Sequence, residues 1–233
     1  MIDVIMPCWI INEELLQLTK SAVESLGKVN LIIIDNASTL GGGYLRSVAD
    51  IYVRNKENLG YAKAVNQGLE LSSNEIKAIA NNDIRVSSNW QQVAQAVFEG
   101  DQNTYSVHFR MIGYDDSFNP GNLVAYTGKE RWCSSSFFVI KSNDPAQYDE
   151  NYLNSYEDWD MWQRIRRSGY KTAYTNKAEY QHKDSFSQQF IPDRNERNDR
   201  NRRHFFDKWG FYPEEQFEKE YPEQMKERWK PFP

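Results

Sequence analysis

The chain has 233 residues, with 28 Lys and Arg against 33 Asp and Glu and a formal net charge of −5; its pI is near 5.4 and its mean hydropathy −0.79. That length carries one sizeable domain with a terminal extension rather than a repeat array, and the acidic balance excludes a protein whose main task is to hold a polyanion by bulk charge. No apolar run reaches the ~18 residues of a bilayer span and the amino terminus lacks the blocks of a signal peptide, so a cytoplasmic chain without a transmembrane segment is expected. Cys8 and Cys133 are the only cysteines. They are too few for a disulfide framework and too scattered for a metal knuckle, and both are expected as buried thiols.

In chain order, residues 1–100 alternate short apolar runs with amphipathic stretches, the pattern of strands and helices feeding a mostly parallel sheet. Asp3 to Cys8 reads as a strand. Asn12 reads as a helix N-cap, with Glu13 and Glu14 at the positive end of the dipole and Leu15, Thr19, Ala22, Val23 and Leu26 on one face until Gly27. Val29 to Ile34 is a buried strand ending at Asp35. Gly41, Gly42 and Gly43 open a turn before a short helix over Tyr44 to Ala49, and Ile51 to Arg54 is a third strand. The turn Asn58 to Gly60 precedes a helix over Tyr61 to Leu71, and Ile76 to Ala80 is a strand running into Asn81, Asn82 and Asp83. Asp35, Asn58 and Asp83 thus stand where strands end, which in open α/β sheets is where ligands bind.

Over residues 101–192 the connections lengthen and turn polar, as in a substrate-facing half, around strands at Tyr105 to Met111 and Phe137 to Ile140 and a helix over Asp158 to Ser168 with Met161, Trp162 and Ile165 inward. Residues 193–233 form a helical appendage packed on the domain. It opens with five arginines among acids between Asp193 and Arg203 and carries an aromatic and Met stripe at Phe217, Tyr221, Met225 and Trp229.

Taken singly, these polar residues leave alternatives open. Asp35 and Ser38 suit either a closed turn or a ligand. Glu157, Asp158 and Asp160 suit a helix N-terminus, a general base or a cation site. His182 has no second His at zinc-ligand spacing. The arginine-rich stretch reads as a solvated helix face or as a surface for phosphate or nucleic acid.

In their order, however, the segments VIMPCW (4–9), IIIDNAS (32–38), ENLGYAKAVNQGL (57–69), ANNDIRV (80–86), Trp132 to Phe138, YDENYLNSYEDWDMWQRIRRSGY (148–170), the His182 region and NRRHFFDKWG (201–210) resemble the family 2 glycosyltransferases, in particular the rhamnosyltransferase-like branch. The resemblance implies a GT-A fold: a Rossmann-like, mixed, mostly parallel sheet flanked by helices. Residues 1–192 would form that domain, with the nucleotide held by its first hundred residues. Pro7 and Trp9 would border the nucleotide, Asp35 and Ser38 would meet a uracil or thymine, and Asn58, Gly60 and Ala64 would approach the nucleoside. Asn81, Asn82 and Asp83 align with the family's DxD motif, its first carboxylate replaced by Asn, and Asn81 and Asn82 would contact the nucleotide through its ribose or phosphate. Asp83 would remain as metal ligand, joined by His182, for Mn²⁺ or Mg²⁺.

The implied activity is inverting transfer of a hexosyl-type sugar from a UDP- or dTDP-sugar to an acceptor hydroxyl. Asp158 would be the general base and Glu157 would orient it, with Asp160 pairing with Arg164 or Arg166. A glycan, a lipid-linked sugar, a protein or a modified nucleic acid would serve as acceptor, and a homo-oligomer is open. A catalytically degenerate fold that only binds a nucleotide sugar or a partner is the alternative. Two residues, Ile10 and Ile11, stand between Trp9 and Asn12 where the family has none, which reshapes the first loop.

Overall fold

In the computed structural model, which describes residues 1–112, 125–126, 135–141, 147–183, 187–191 and 193–220, the strand Asp3–Cys8 (β1) is buried along its whole length. Its position in the sheet explains this. It lies parallel between Asn30–Asp35 (β2) and Lys77–Ala80 (β4), and Ile51–Arg54 (β3) adds in parallel outside β2. A strand covered on both faces reads as a continuous apolar run, as Val4 to Met6 and Leu31 to Ile34 do. Cys8 pairs with Asp35, so both strands open into their loops at one level.

The crossovers are the helices Glu13–Leu26 (α1), Gly42–Val48 (α2) and Tyr61–Leu71 (α3). Asn12 caps α1 by accepting the Leu15 N–H at 2.9 Å, and Gly27 ends it at φ 71°. Helix α3 lies directly on β1 because residue 68 is glycine: a Cβ there would collide with Ile5 Cγ2.

Beyond β4 come Ile84–Val86 (β5), Trp90–Gly100 (α4), Thr104–Ile112 (β6), Ala125–Tyr126 (β7), Phe137–Ile140 (β8), Glu157–Arg167 (α5), Lys171–His182 (β9), Arg194–Trp209 (α6) and Pro213–Glu220 (α7). The sheet runs β3-β2-β1-β4-β8-β6-β9-β5, with β7 on β9. It changes character at β8, which is antiparallel to both β4 and β6. One apolar core fills the side of α1 and α4, where Trp90 Nε1 also donates to Leu26 O at 3.1 Å. The other lies under α3 and α5.

The expected mixed, mostly parallel sheet flanked by helices is present. The first strands and helices fall within two residues of their expected bounds, and Met161, Trp162 and Ile165 are buried on α5. Helix α4 and strands β5 and β9 were not expected. Helix α6 runs past the arginines to Trp209 and is fixed by the buried side chains of Asn201 and Phe205. Cys8 is buried as expected, and burial, followed by the Asp35 and Asp83 charges, pushes its thiol well above the usual range. Cys133, residues 113–124 and 127–131 of the long connection, and the Phe217, Tyr221, Met225 and Trp229 side chains lie outside the described residues. No helix among the described residues is long and apolar enough to cross a membrane.

Candidate active site

The first part of the site forms where β1 and β2 end. Pro7 is buried in β1 and Trp9 is half-buried just beyond it. Asp35 is fully buried; its Oδ1 accepts the Ser38 N–H at 2.8 Å, and its Oδ2 accepts the Tyr52 hydroxyl at 2.6 Å and pairs with the Arg54 guanidinium. A carboxylate has about four lone-pair positions, and these donors take three of them. Ser38 Oγ accepts the Ile10 N–H at 2.9 Å, which pins the lengthened first loop to the second. Asn58 Oδ1 accepts from Asn36 Nδ2 at 2.7 Å and from the Gly60 N–H at 3.0 Å, so it shapes the turn in which Gly60 sits at φ 87°. Ala64 is completely buried in the core beneath α3, so its contribution is to helix packing.

The second part forms at the end of β4. The Asn81 N–H donates to Ser136 O at 2.8 Å, just ahead of β8. Asn82 is turned elsewhere: its Nδ2 donates to Thr19 Oγ1 on α1 at 2.9 Å, so it locks a helix while its neighbours face each other. His182 Nε2 lies 3.1 Å from Asp83 Oδ1 and 3.2 Å from Asn81 Nδ2, and its Nδ1 lies 3.1 Å from Ser136 Oγ. The antiparallel pairing of β5 with β9 sets Ile84 opposite His182, and this closes the long sequence gap between them.

Asn81 Oδ1 and Asp83 Oδ1 are buried and accept no hydrogen bond; the imidazole is close to Asp83 without an N–H aimed at it. Buried acceptors without donors cost about 1–3 kcal/mol each. Two such oxygens beside an imidazole nitrogen fit a divalent ion such as Mn²⁺ or Mg²⁺. Among the described residues no three His, Cys, Asp or Glu side chains gather as a metal cage, so a cation here depends on oxygens brought by its ligand.

The third part is the start of α5, bridged to the second by two serines. Ser136 meets His182, and Ser135 Oγ donates to Asp158 Oδ2 at 3.3 Å, while Asp158 Oδ1 accepts the Trp159 N–H at 2.8 Å. Asp158 is half-buried and Glu157 is buried, with Glu157 Oε2 accepting no hydrogen bond. Burial, and then the Asp158 charge, pushes Glu157 up to about 8. Burial also pushes the Tyr61 hydroxyl well above its usual range, with the charges of Glu157, Asp158 and Asp83 adding to the effect. That ring therefore stands among all three carboxylates. Asp160 takes a different part: it is fully buried and accepts from Arg164 Nε at 2.9 Å, from Trp209 Nε1 at 2.9 Å and from Lys208 at 2.8 Å. It fastens α6 to α5, and its arginine partner is Arg164. Arg166 instead covers the Trp162 ring at 4.6 Å.

Glu157 makes stability depend on pH. Its folded value of about 8 lies above the ordinary glutamate value of 4.5, so between those values the folded chain binds the extra proton and stability falls as pH rises. Glu157→Gln should therefore flatten the decline in melting temperature between pH 5 and about 8. An unchanged slope in a thermal melt series would sink the assignment.

Patterning does not mark Tyr52, Arg54, Tyr61, Ser135 or Ser136 as site residues. Their one signal is position: Tyr61, Ser135 and Ser136 lie inside motifs already quoted, and Tyr52 and Arg54 lie on the third strand.

A crevice at the carboxyl ends of parallel strands, with buried acceptors at one side and a carboxylate pair at the other, defines a nucleotide-binding α/β domain of the GT-A type. The family model of glycosyl transferase family 2 matches residues 3–228, and the chain belongs to that family. The match is to the family as a whole and does not single out the rhamnosyltransferase-like branch.

Among solved structures the chain resembles S. aureus TarS 1–349 (TM-score 0.61, 14% identity, covering 78% of this chain and 60% of that one). It also resembles the same protein in complex with UDP-GlcNAc (TM-score 0.62, 13% identity, 82% and 61%). GalNAc-T7 with UDP, GalNAc and Mn²⁺ is similar as well (TM-score 0.60, 13% identity, 77% and 43%). The chain thus spans about three fifths of the TarS 1–349 chains, and at these identities the likeness is one of fold. No curated protein of similar sequence was found.

Proposed function

We propose that the chain transfers a hexosyl-type sugar from a UDP- or dTDP-sugar to an acceptor hydroxyl with inversion at the anomeric carbon. The observation that carries this reading is the convergence of Asn81, Asp83 and His182, through Ser136 and Ser135, on Asp158. These polar groups beside a carboxylate support a place for a diphosphate next to a general base. The solved neighbours that hold UDP, UDP-GlcNAc and Mn²⁺ support the donor class and a divalent ion.

Asp35, clamped by Ser38, Tyr52 and Arg54, keeps one lone pair for the N3–H of a uracil or thymine. Asp83, His182 and Asn81 would hold the cation, which supplies positive charge to the diphosphate leaving group. Asp158 takes the acceptor proton as the hydroxyl oxygen bonds to the anomeric carbon. The bond from that carbon to the diphosphate breaks and its electron pair leaves with the diphosphate. Asp158 suits this role because it is only half-buried and is held in place by Ser135 and the Trp159 N–H, while burial pushes Glu157 beside it up to about 8. Two adjacent carboxyls held in different protonation states can serve different functions.

The test is a thermal-shift panel of UDP, dTDP, GDP and CDP with and without Mn²⁺. Saturation at about a hundred times Kd adds about 2.7 kcal/mol, a rise of several degrees. A manganese-dependent rise with UDP or dTDP is expected. No rise with any nucleotide would remove the donor reading.

A further inference from the structure

Helix α6 presents a feature that the transfer step itself does not use. From its N-cap it repeats a triplet, Asp193, Arg194, Asn195; Glu196, Arg197, Asn198; Asp199, Arg200, Asn201, before Arg202 and Arg203. Residues three apart are neighbours on a helix, so the acids form one winding column and the arginines the next. The last asparagine faces inward: Asn201 is fully buried and donates to Leu153 O, Ser155 O and Ser155 Oγ at 3.1, 3.0 and 2.8 Å. It thereby clamps α6 to the segment that leads into Glu157 and Asp158.

Facing outward, Arg197, Arg200 and Arg203 with Asp193, Glu196 and Asp199 line a groove of about 680 Å³ over Leu153. That volume suits a small oligosaccharide better than a single ion. The groove meets the donor crevice at Leu153, whose Cδ2 would lie 3.7 Å from a Cβ on Gly60, and the next residue, Asn154, accepts the Tyr61 N–H at 2.8 Å.

The described lining carries three carboxylates and three guanidiniums, so it offers little net field to draw in a polyanion or a polycation. It offers instead alternating acceptors and donors, and Arg197 Nε is buried with no hydrogen-bond acceptor. A sugar hydroxyl is both donor and acceptor, and a surface of alternating carboxylates and guanidiniums matches rows of them. We infer that this groove binds the acceptor and that the acceptor is an uncharged saccharide, its hydroxyls donating to Glu196 and Asp199 and accepting from Arg197 and Arg200. The inference rests on the transferase reading for the use made of the bound sugar.

The experiment is retention of the full-length chain on an array of neutral, phosphorylated and uronate-bearing glycans, with the Glu196→Gln/Asp199→Asn and Arg197→Lys variants in parallel. All three positions are at least partly exposed, and melting temperatures verify that each variant folds. Neutral glycans should be retained with little sensitivity to salt, and each variant should lose about tenfold or more in apparent affinity, Arg197→Lys because lysine lacks the planar fork. Retention confined to phosphorylated or uronate glycans and strengthened by Glu196→Gln/Asp199→Asn would overturn the inference in favour of a polyanion. Retention of no glycan, or retention unchanged in both variants, would overturn it as well. The nucleotide shift of the unaltered chain is read separately: no rise with any nucleotide removes the transferase reading, and a rise with UDP or dTDP alongside a failed array removes the groove alone.

Discussion

Asp158→Asn should lower turnover about 10²–10⁴-fold, the range a positioned general base contributes, and leave the UDP-dependent thermal shift in place. The amide keeps the shape of the carboxylate: its oxygen can still accept the Trp159 N–H while its NH2 donates to Ser135 Oγ, so α5 should begin as before. What it cannot do is take the acceptor proton. Initial rates of UDP release in the presence of acceptor, measured beside the thermal shift, separate the two effects. Turnover within threefold of the unaltered chain would pass the base role to another group. Loss of the UDP shift would mean that Asp158 belongs to donor binding. A second signature accompanies the first: the Asp158 charge is one of the causes that raise Glu157, so the pH-dependent decline in stability should end at a lower pH in this variant.

Asp83→Asn should abolish the manganese-dependent part of the UDP shift, about 2.7 kcal/mol at a hundredfold excess over Kd, and turnover with it. Without ligand the same variant should melt at the same temperature or higher. The reason is local. Asp83 is buried with Oδ1 accepting no hydrogen bond, and a neutral amide is less costly to bury than a carboxylate in that state. A gain in unliganded stability together with a loss of metal response is what a residue kept for an ion should give. A manganese-dependent shift that survives the substitution would rule out Asp83 as the principal ligand. A steep fall in unliganded stability would show instead that the Asp83 contact with His182 is structural.

The parallel half of the sheet was legible from residue order because its causes are local. Continuous apolar runs make buried strands, Asn12 caps α1, Gly27 ends it, and Asp35 and Asp83 follow directly on strand ends. The motif order also named the family and the carboxylates of the candidate site. Strand β9 was not legible, because its buried positions include Thr172, Thr175, Glu179 and Gln181. Those polar groups become acceptable inside only through distant partners, as when Arg110 on β6 pairs with Glu179 and the Glu179 N–H donates to Ser87 Oγ.

The composition of the site was likewise decided in three dimensions. His182 reaches Asp83 by the β5 to β9 pairing, and Ser135 and Ser136 link Asn81 and His182 to Asp158 because β8 runs antiparallel beside β4. Asn82, adjacent to both Asn81 and Asp83 in sequence, is turned onto α1. The arginine-rich stretch, two-sided as a sequence, becomes the wall of a groove once Asn201 and Asp160 fasten α6 to the segments beside it. Patterns within a strand or helix record the burial of its own faces, and so residue order alone determined the elements of the parallel half, the family and the carboxylates. Contacts between residues far apart in the chain depend on how those faces are stacked, and only the tertiary structure decided which polar groups meet.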